Sequence, residues 1–441
     1  MQAIDTLLKA RWIIPVEPEG CVLEDHALVI AAGRILAILP REQAHAKYTA
    51  DIDLELSSHA LLPGLINAHT HAAMNLLRGL ADDLALMAWL NEHIWPAELR
   101  WTSPEFVHDG TQLAMAEMLR GGITCFNDMY FFPEITAQAA RTCGMRACVG
   151  LIVIDFPSAW AQSAEEYLDK GLALHAMLRD DPLIHTAFAP HAPYTVSTAP
   201  LERIRMLAEE LDLPIHMHVH ETAAEVEQSL AQRGCRPLAY LDRLGLVSPR
   251  LMAVHMTQLS AEELAHIADA GIHVIHCCES NLKLASGFCP VARLDAAGVP
   301  VALGTDGAAS NNDLDLFGEM RTAALVGKAI AGDATALPAQ RLLRMATLNG
   351  AKALGLEEQI GSLEAGKWAD ITAVDLGTVE AEPVYNPISQ LVYATGRQQV
   401  TDVWVAGRHL LKDRALTTLD TEDITCRARA WRQKIGNQSA P

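Results

Sequence analysis

The stretch Leu61–His71, LLPGLINAHTH, constrains this chain more than any other. It is apolar but for its Pro63-Gly64 interruption and Asn67, and it ends on His69-Thr70-His71. Such a run reads as a strand buried on both faces, as in a parallel sheet. Residues i and i+2 of a strand point the same way, so both imidazoles leave one face at the strand's end and can share a metal. Alone, a His-x-His pair is weak evidence of a metal site. It needs partners further along.

The 441 residues exceed a typical single domain, yet an α/β barrel accommodates this length as one unit. A formal charge of −20 argues against nucleic acid and anionic membrane as partners. The first residues, MQAIDTLLKARWIIPVEPEG, lack the basic and apolar regions of a signal peptide, and no run of about 20 apolar residues suggests a membrane span. The nine cysteines are dispersed, and the adjacent Cys277-Cys278 makes no zinc-ribbon spacing. Reduced thiols and a cytoplasmic enzyme are the expectation.

Taken in order, HALVIAAGRILAILP has two apolar strands around an Ala-Gly-Arg turn, and VTDVWVAGRHLLKD repeats that pattern around Gly407-Arg408. Two similar hairpins at opposite ends suggest one small β-domain built by both termini; the alternative is two unrelated surface hairpins. Between them, apolar runs alternate with amphipathic helical segments. Eight strand candidates emerge, at 60–68, 122–128, 146–154, 183–190, 213–219, 250–255, 272–277 and 299–306, with helix-like pieces such as 111–119, 199–211 and 261–270. That alternation predicts a (β/α)8 TIM-like barrel over 61–360, with the β-domain shared between 1–60 and 361–441. Active sites of such barrels lie at the C-terminal strand ends, where His69, His71, Asp128, His191, His218, His255 and Asp306 fall. The connection over 72–102 carries Trp89, Trp95 and Trp101 and should cover that site.

The strand LPIHMHVHET offers His216, His218 and His220, with Glu221 directly after. His218 suits a ligand and Glu221 a proton-moving carboxylate beside it; His216 and His220 suit supporting or surface roles. His69, His71, His218 and Asp306 together supply three nitrogens and one carboxylate, a zinc-like set. His255 can ligate the metal or orient its water. Binuclear hydrolase barrels commonly use a carboxylated lysine at the end of the fourth strand; here that strand ends at Pro190-His191 without one, which favours a single metal.

On the motifs PGLINAHTH, RGLADDLALMAWLNEHIWPAE, GITCFNDMY, PHAPYTVS, HMHVHET, SNLKLASG, GTDGAASNNDLDLFGEMR and GSLEAGKWADI, the chain resembles the amidohydrolase superfamily over nearly its whole length. Within it, the chain resembles the 5-methylthioadenosine/S-adenosylhomocysteine deaminase branch, which also includes triazine hydrolases. The resemblance implies one divalent metal, zinc being the expected ion, on His69, His71, His218 and Asp306. It implies catalytic roles for Glu221, His255 and Asp306, with Glu98, His191, Trp89 and Ser310 joining Glu221 and Asp306 at the substrate. It also implies that the terminal β-domain is a composite sandwich. Cys278 departs from the proline that relatives commonly carry.

The expected reaction is hydrolytic deamination of an adenine nucleoside: 5'-methylthioadenosine is expected to be a good substrate, with S-adenosylhomocysteine and adenosine also accepted, and the sequence leaves the preference among them open. Met74, Leu77 and Leu84 are candidates for favouring a methylthio group, and Glu98 for gripping the ribose hydroxyls. The rival readings are deamination of a free nucleobase, hydrolysis of a substituted triazine, and a catalytically silent metal-binding scaffold. A small-molecule nucleoside is the expected partner; the sequence leaves self-association open.

Overall fold

In the computed structural model, which describes residues 1–436, both hairpins lie in one mixed sheet of nine strands. His26–Ala31 pairs with Arg34–Pro40, and Val400–Val405 with Arg408–Lys412, each antiparallel. Their turns touch: a Cβ on Gly407 would lie 2.7 Å from Gly33 Cα, and both glycines have left-handed φ (+75° and +74°). Leu8 and Ile30 from one terminus share an apolar core with Ile371 and Trp404 from the other. The two hairpins therefore share one sheet and one apolar core. Residues 437–441 of the expected terminal unit lie outside the described residues.

The strand expected over 60–68 divides at Gly64. Tyr48–Pro63 runs in the terminal sheet, where Ala60–Pro63 pairs with Ile371–Val374. Leu65–Thr70 opens the barrel. The pivot must be glycine, because a Cβ there would lie 2.0 Å from the Thr124 hydroxyl. Hydrophobicity runs through both halves, which is why the break is invisible in the pattern.

The other seven expected strands each contain an observed one, and all eight are parallel and ordered as in the chain: Leu65–Thr70, Ile123–Asp128, Arg146–Val153, Ile184–Pro190, Ile215–Val219, Leu251–His255, His273–His276 and Val301–Leu303. At the seam between first and last, Asn67 Nδ2 donates to Thr305 Oγ1 (2.8 Å), Thr305 N donates to Asn67 Oδ1 (3.0 Å), and Asp306 N donates to the His69 carbonyl (3.0 Å). Ala68, Cys125, Cys148 and Cys277 share a buried cluster with Ile66, Met252, Val254 and Ile275, so these thiols act as apolar filler. Arg146, fully buried on the third strand, pairs with Asp370 of the terminal unit at 2.8 Å and ties the two parts together.

The 72–102 connection forms a tight turn over Ala72–Leu77 and a helical segment over 86–101 that faces the barrel mouth. A C-terminal helix, Thr421–Gly436, packs on the helix Pro104–Arg120. Among the described residues, no helix is long and apolar enough to cross a membrane.

Candidate active site and metal centre

The C-terminal strand ends bring His69, His71, His218, His255 and Asp306 together. Asp306 Oδ1 lies 3.3 Å from His69 Nε2 and 3.2 Å from His71 Nε2, and His218 Nε2 lies 3.2 Å from His69 Nε2. His255 and Asp306 achieve this with left-handed backbone, φ 76° and 62°, a strained state for residues with a Cβ that re-aims each side chain as its strand ends. Gly304 permits the close approach of the last strand, since a Cβ there would fall 2.8 Å from His69 N.

Each imidazole is anchored by the nitrogen pointing away from the cluster. His71 Nδ1 donates to the Met129 carbonyl (2.6 Å) and His218 Nδ1 to the His191 carbonyl (2.8 Å). A carbonyl only accepts, so these rings carry their proton on Nδ1 and present an Nε2 lone pair inward. His255 Nδ1 meets Asn281 Oδ1 (2.8 Å), and His69 Nδ1 meets His216 Nε2 (2.8 Å). Burial pushes the His69 ring down to about 4, which favours its neutral form. Burial would raise the Asp306 carboxyl, but the His69 and His71 rings beside it hold it well below the usual carboxylate range. Burial would lower His71, but the Asp306 carboxylate raises it to about 9, so a cation bound here would take the place of that ring's inner proton. Three imidazoles and one ionised carboxylate converging on one point, with their outer nitrogens tied, fit a divalent cation of the zinc type. In the ordinary tautomer this anchoring leaves a ligand lone pair where a structural histidine would need a partner.

Glu221 is 6% exposed, its carboxyl pushed up by burial, with Oε1 3.9 Å from His255 Nε2. Its backbone is fixed by Glu225, which accepts from Glu221 N (2.7 Å), and by Thr257, which donates to the Glu221 carbonyl (2.7 Å). His191 lines the same cavity, its ring held by Thr195 (3.0 Å) and pushed down to about 3 by burial. Trp89, Glu98 and Ser310 also line it. Ser310 additionally donates to Asp306 Oδ2 (2.8 Å). His71, Trp89, Glu98, His191, His218, Glu221, Asp306 and Ser310 thus line one cavity, with His69 and His255 clustered against them, whereas Asp128 turns away to accept from Ala72 N (2.7 Å).

That cavity is about 610 Å³ and mostly apolar, with Leu90, Ile94, Trp95 and Phe156 among its lining residues. Of the three residues expected to receive a methylthio group, only Met74 lines it. Leu77 turns into the core beneath the covering segment and Leu84 packs beside that core, because the segment winds as helix and turn. His220 is not at the site; its Nε2 accepts from Leu238 N (3.1 Å). Trp101 packs on Trp431 with perpendicular rings, a structural role.

Sequence reasoning missed three residues. Ser280, fully buried, donates to Asp306 Oδ2 (2.6 Å). Tyr130 hydrogen-bonds Glu98, and Tyr194 meets the His191 ring edge-on at 6.1 Å. Tyr130 and Tyr194 lie two and four residues past their strand ends, in the motifs GITCFNDMY and PHAPYTVS, and that position was the available signal.

The Amidohydrolase family profile matches residues 60–410. The 5-methylthioadenosine/S-adenosylhomocysteine deaminase of Teredinibacter turnerae is 54% identical over 98% of each chain. The protein of the same name from Saccharophagus degradans is 52% identical over 99% of this chain and 98% of its own. Among solved structures, an adenosine deaminase from Xanthomonas campestris with bound zinc superposes with a TM-score of 0.98, at 55% identity over 99% of both chains.

Proposed function

Given that the chain belongs to the amidohydrolase family, we propose that it deaminates adenine nucleosides hydrolytically, with 5'-methylthioadenosine as the preferred substrate. One observation carries this reading: the Glu221 carboxyl and the His69–His71–His218–Asp306 cluster open into the same cavity as Glu98. The relatives' names and the zinc of the Xanthomonas structure support it.

His69, His71, His218 and Asp306 would hold a single divalent metal, zinc being the expected ion, which when bound would supply a water acidified towards a pKa of about 7. His255 and Asp306 orient that water toward C6 of the ring. Glu221 takes its proton and passes it to N1, C6 becomes tetrahedral, and the remaining hydroxyl proton moves to the amino group, so that ammonia leaves and the 6-oxo product forms. The raised carboxyl of Glu221 suits a group that must hold a proton between these two steps. Glu98 accepts hydrogen bonds from the two ribose hydroxyls while Tyr130 holds it, and His191 and Trp89 flank the base. Free adenine lacks those hydroxyls and is rejected.

The test is ammonia release from 5'-methylthioadenosine by wild type and Glu221→Gln, with metal content measured on both. General acid–base groups contribute about 10²–10⁴-fold, so the variant should lose that much turnover while keeping its metal. A variant within a few-fold of wild type refutes the role of Glu221. Two metals per chain, or full activity after exhaustive chelation, refutes the mononuclear metal reading.

A further inference from the structure

The helix Thr421–Gly436 lies beyond the residues matched by the family profile, and none of its side chains enters the reaction. It nevertheless reaches the segment that covers the active site. Trp431, 5% exposed, donates from Nε1 to Asp109 Oδ2 (2.9 Å), and Arg427 pairs with the same carboxylate. Both contacts fix the indole to the helix Pro104–Arg120. Its ring then meets Phe106 at 5.3 Å and Trp101 at 6.4 Å, each nearly perpendicular (86° and 85°).

Trp101 ends the helix Trp95–Trp101, three residues beyond Glu98, and that helix has no fully buried residue of its own. Its apolar residues Trp95, Ala97 and Trp101 are only partly buried, against a core cluster that includes Phe106 and Trp431, so what packs on them contributes to locating it. The next residue, Thr102, has its hydroxyl 3.5 Å from the Tyr130 hydroxyl, and Tyr130 hydrogen-bonds Glu98. The indole, Trp101, Glu98 and Tyr130 thus form one connected patch.

We propose that Trp431 is a positioning residue for substrate binding: through Trp101 it sets where Glu98 stands in the cavity. The proposal rests on the reading of Glu98 as the ribose clamp. Loss of Trp431 therefore lets the Glu98 helix drift without disturbing the histidine cluster or Glu221, which sit on barrel strand ends.

Trp431→Ala should raise KM for 5'-methylthioadenosine about tenfold, the size of one aromatic pair's contribution, with kcat within about threefold and metal content unchanged. In a Glu98→Ala background the same change should add little, because its route to the substrate is already gone. Independently of activity, trypsin should cut the folded variant faster than wild type at Arg100, beside Trp101. If Trp431→Ala does not fold, Trp431→Leu removes the perpendicular ring contacts while keeping apolar volume, and carries the same test. Unchanged KM and unchanged cutting at Arg100, or full additivity with Glu98→Ala, overturns the positioning role. Wild type that prefers free adenine overturns the ribose reading instead, whatever trypsin shows.

Discussion

Ser280 donates its hydroxyl to Oδ2 of Asp306 over 2.6 Å, inside the barrel and out of reach of solvent. Ser310 donates to the same oxygen at 2.8 Å, and Gly307 N donates to Oδ1 at 2.8 Å. Oδ1 is also the oxygen that faces His69 and His71. The two serines therefore hold the carboxylate's plane and leave Oδ1 for the cation and its water. A hydrogen bond to a charged group contributes about 1.5–3 kcal/mol, so Ser280→Ala should lower kcat/KM roughly 10- to 100-fold. Metal content should stay near wild type, because all four ligands remain. Unchanged kcat/KM would show that Ser310 alone orients Asp306.

Burial pushes the Glu98 carboxyl up to about 7, against the opposing hydrogen bond from Tyr130 and the charge of His71. Only the ionised form can accept from both ribose hydroxyls. A raised pKa means that this form is present above about 7 and is lost as pH falls through it. KM for 5'-methylthioadenosine should therefore rise between about pH 8 and pH 6, and Glu98→Gln should show a flat, higher KM over that range. Linkage has the opposite sense. The proton that folding favours stabilises fully below the ordinary carboxylate pKa, and that stability is lost as pH rises through about 7. Glu98→Gln should thus gain stability relative to wild type at pH 8. A wild-type KM independent of pH would contradict the assignment.

Arg146 and Asp370 form a bidentate pair, 2.8 and 3.2 Å, with side chains 0% and 2% exposed. Removing one partner leaves the other charge buried, at a cost of about 3–5 kcal/mol. Asp370→Ala should lower the urea midpoint by that equivalent, and the loss should appear in both the barrel and the terminal sheet, since the pair joins them. A midpoint shift worth under about 1 kcal/mol would mean that water reaches the guanidinium.

The barrel was legible because apolar runs alternate with amphipathic helical segments and most of them give way at their ends to polar residues, among them His69, His218 and Asp306. Uniform burial hid the Gly64 pivot: Ala60–Pro63 and Leu65–Thr70 are equally buried, so nothing in hydrophobicity tells one sheet from the next. Ser280 carries no spacing signal, since a single serine is ordinary anywhere, and Tyr130 offers only its place two residues past a strand end. Leu77 and Leu84 were misplaced because the covering segment's winding decides which side chains meet the cavity. The contact of Trp431 with the Asp109 helix joins residues more than 300 positions apart, beyond any local pattern.

The apolar part of the cavity is expected to decide among adenine nucleosides. Its wall is Leu90, Ile94, Trp95 and Phe156, with Asn91 and Ser158 the uncharged polar residues nearest them in the chain. Among the residues that line the cavity there is no lysine or arginine; the carboxylates are Glu98, Glu221 and Asp306. 5'-Methylthioadenosine ends in a methyl group, which gains from apolar contact. S-adenosylhomocysteine ends in an ammonium and a carboxylate, and the carboxylate meets no cation there. Leaving such a group unpaired costs about 1–3 kcal/mol or more when it is desolvated. Adenosine presents a bare hydroxyl to the same apolar wall and forgoes the thiomethyl contact. Methylthioadenosine should therefore exceed S-adenosylhomocysteine in kcat/KM by at least about tenfold, with adenosine also below it. Asn91→Arg places a cation beside that wall and should narrow the gap by raising the S-adenosylhomocysteine value selectively. The assay is kcat/KM for the three substrates on both proteins. S-adenosylhomocysteine matching methylthioadenosine on wild type would mean that its charged end stays in solvent and that the apolar wall does not discriminate.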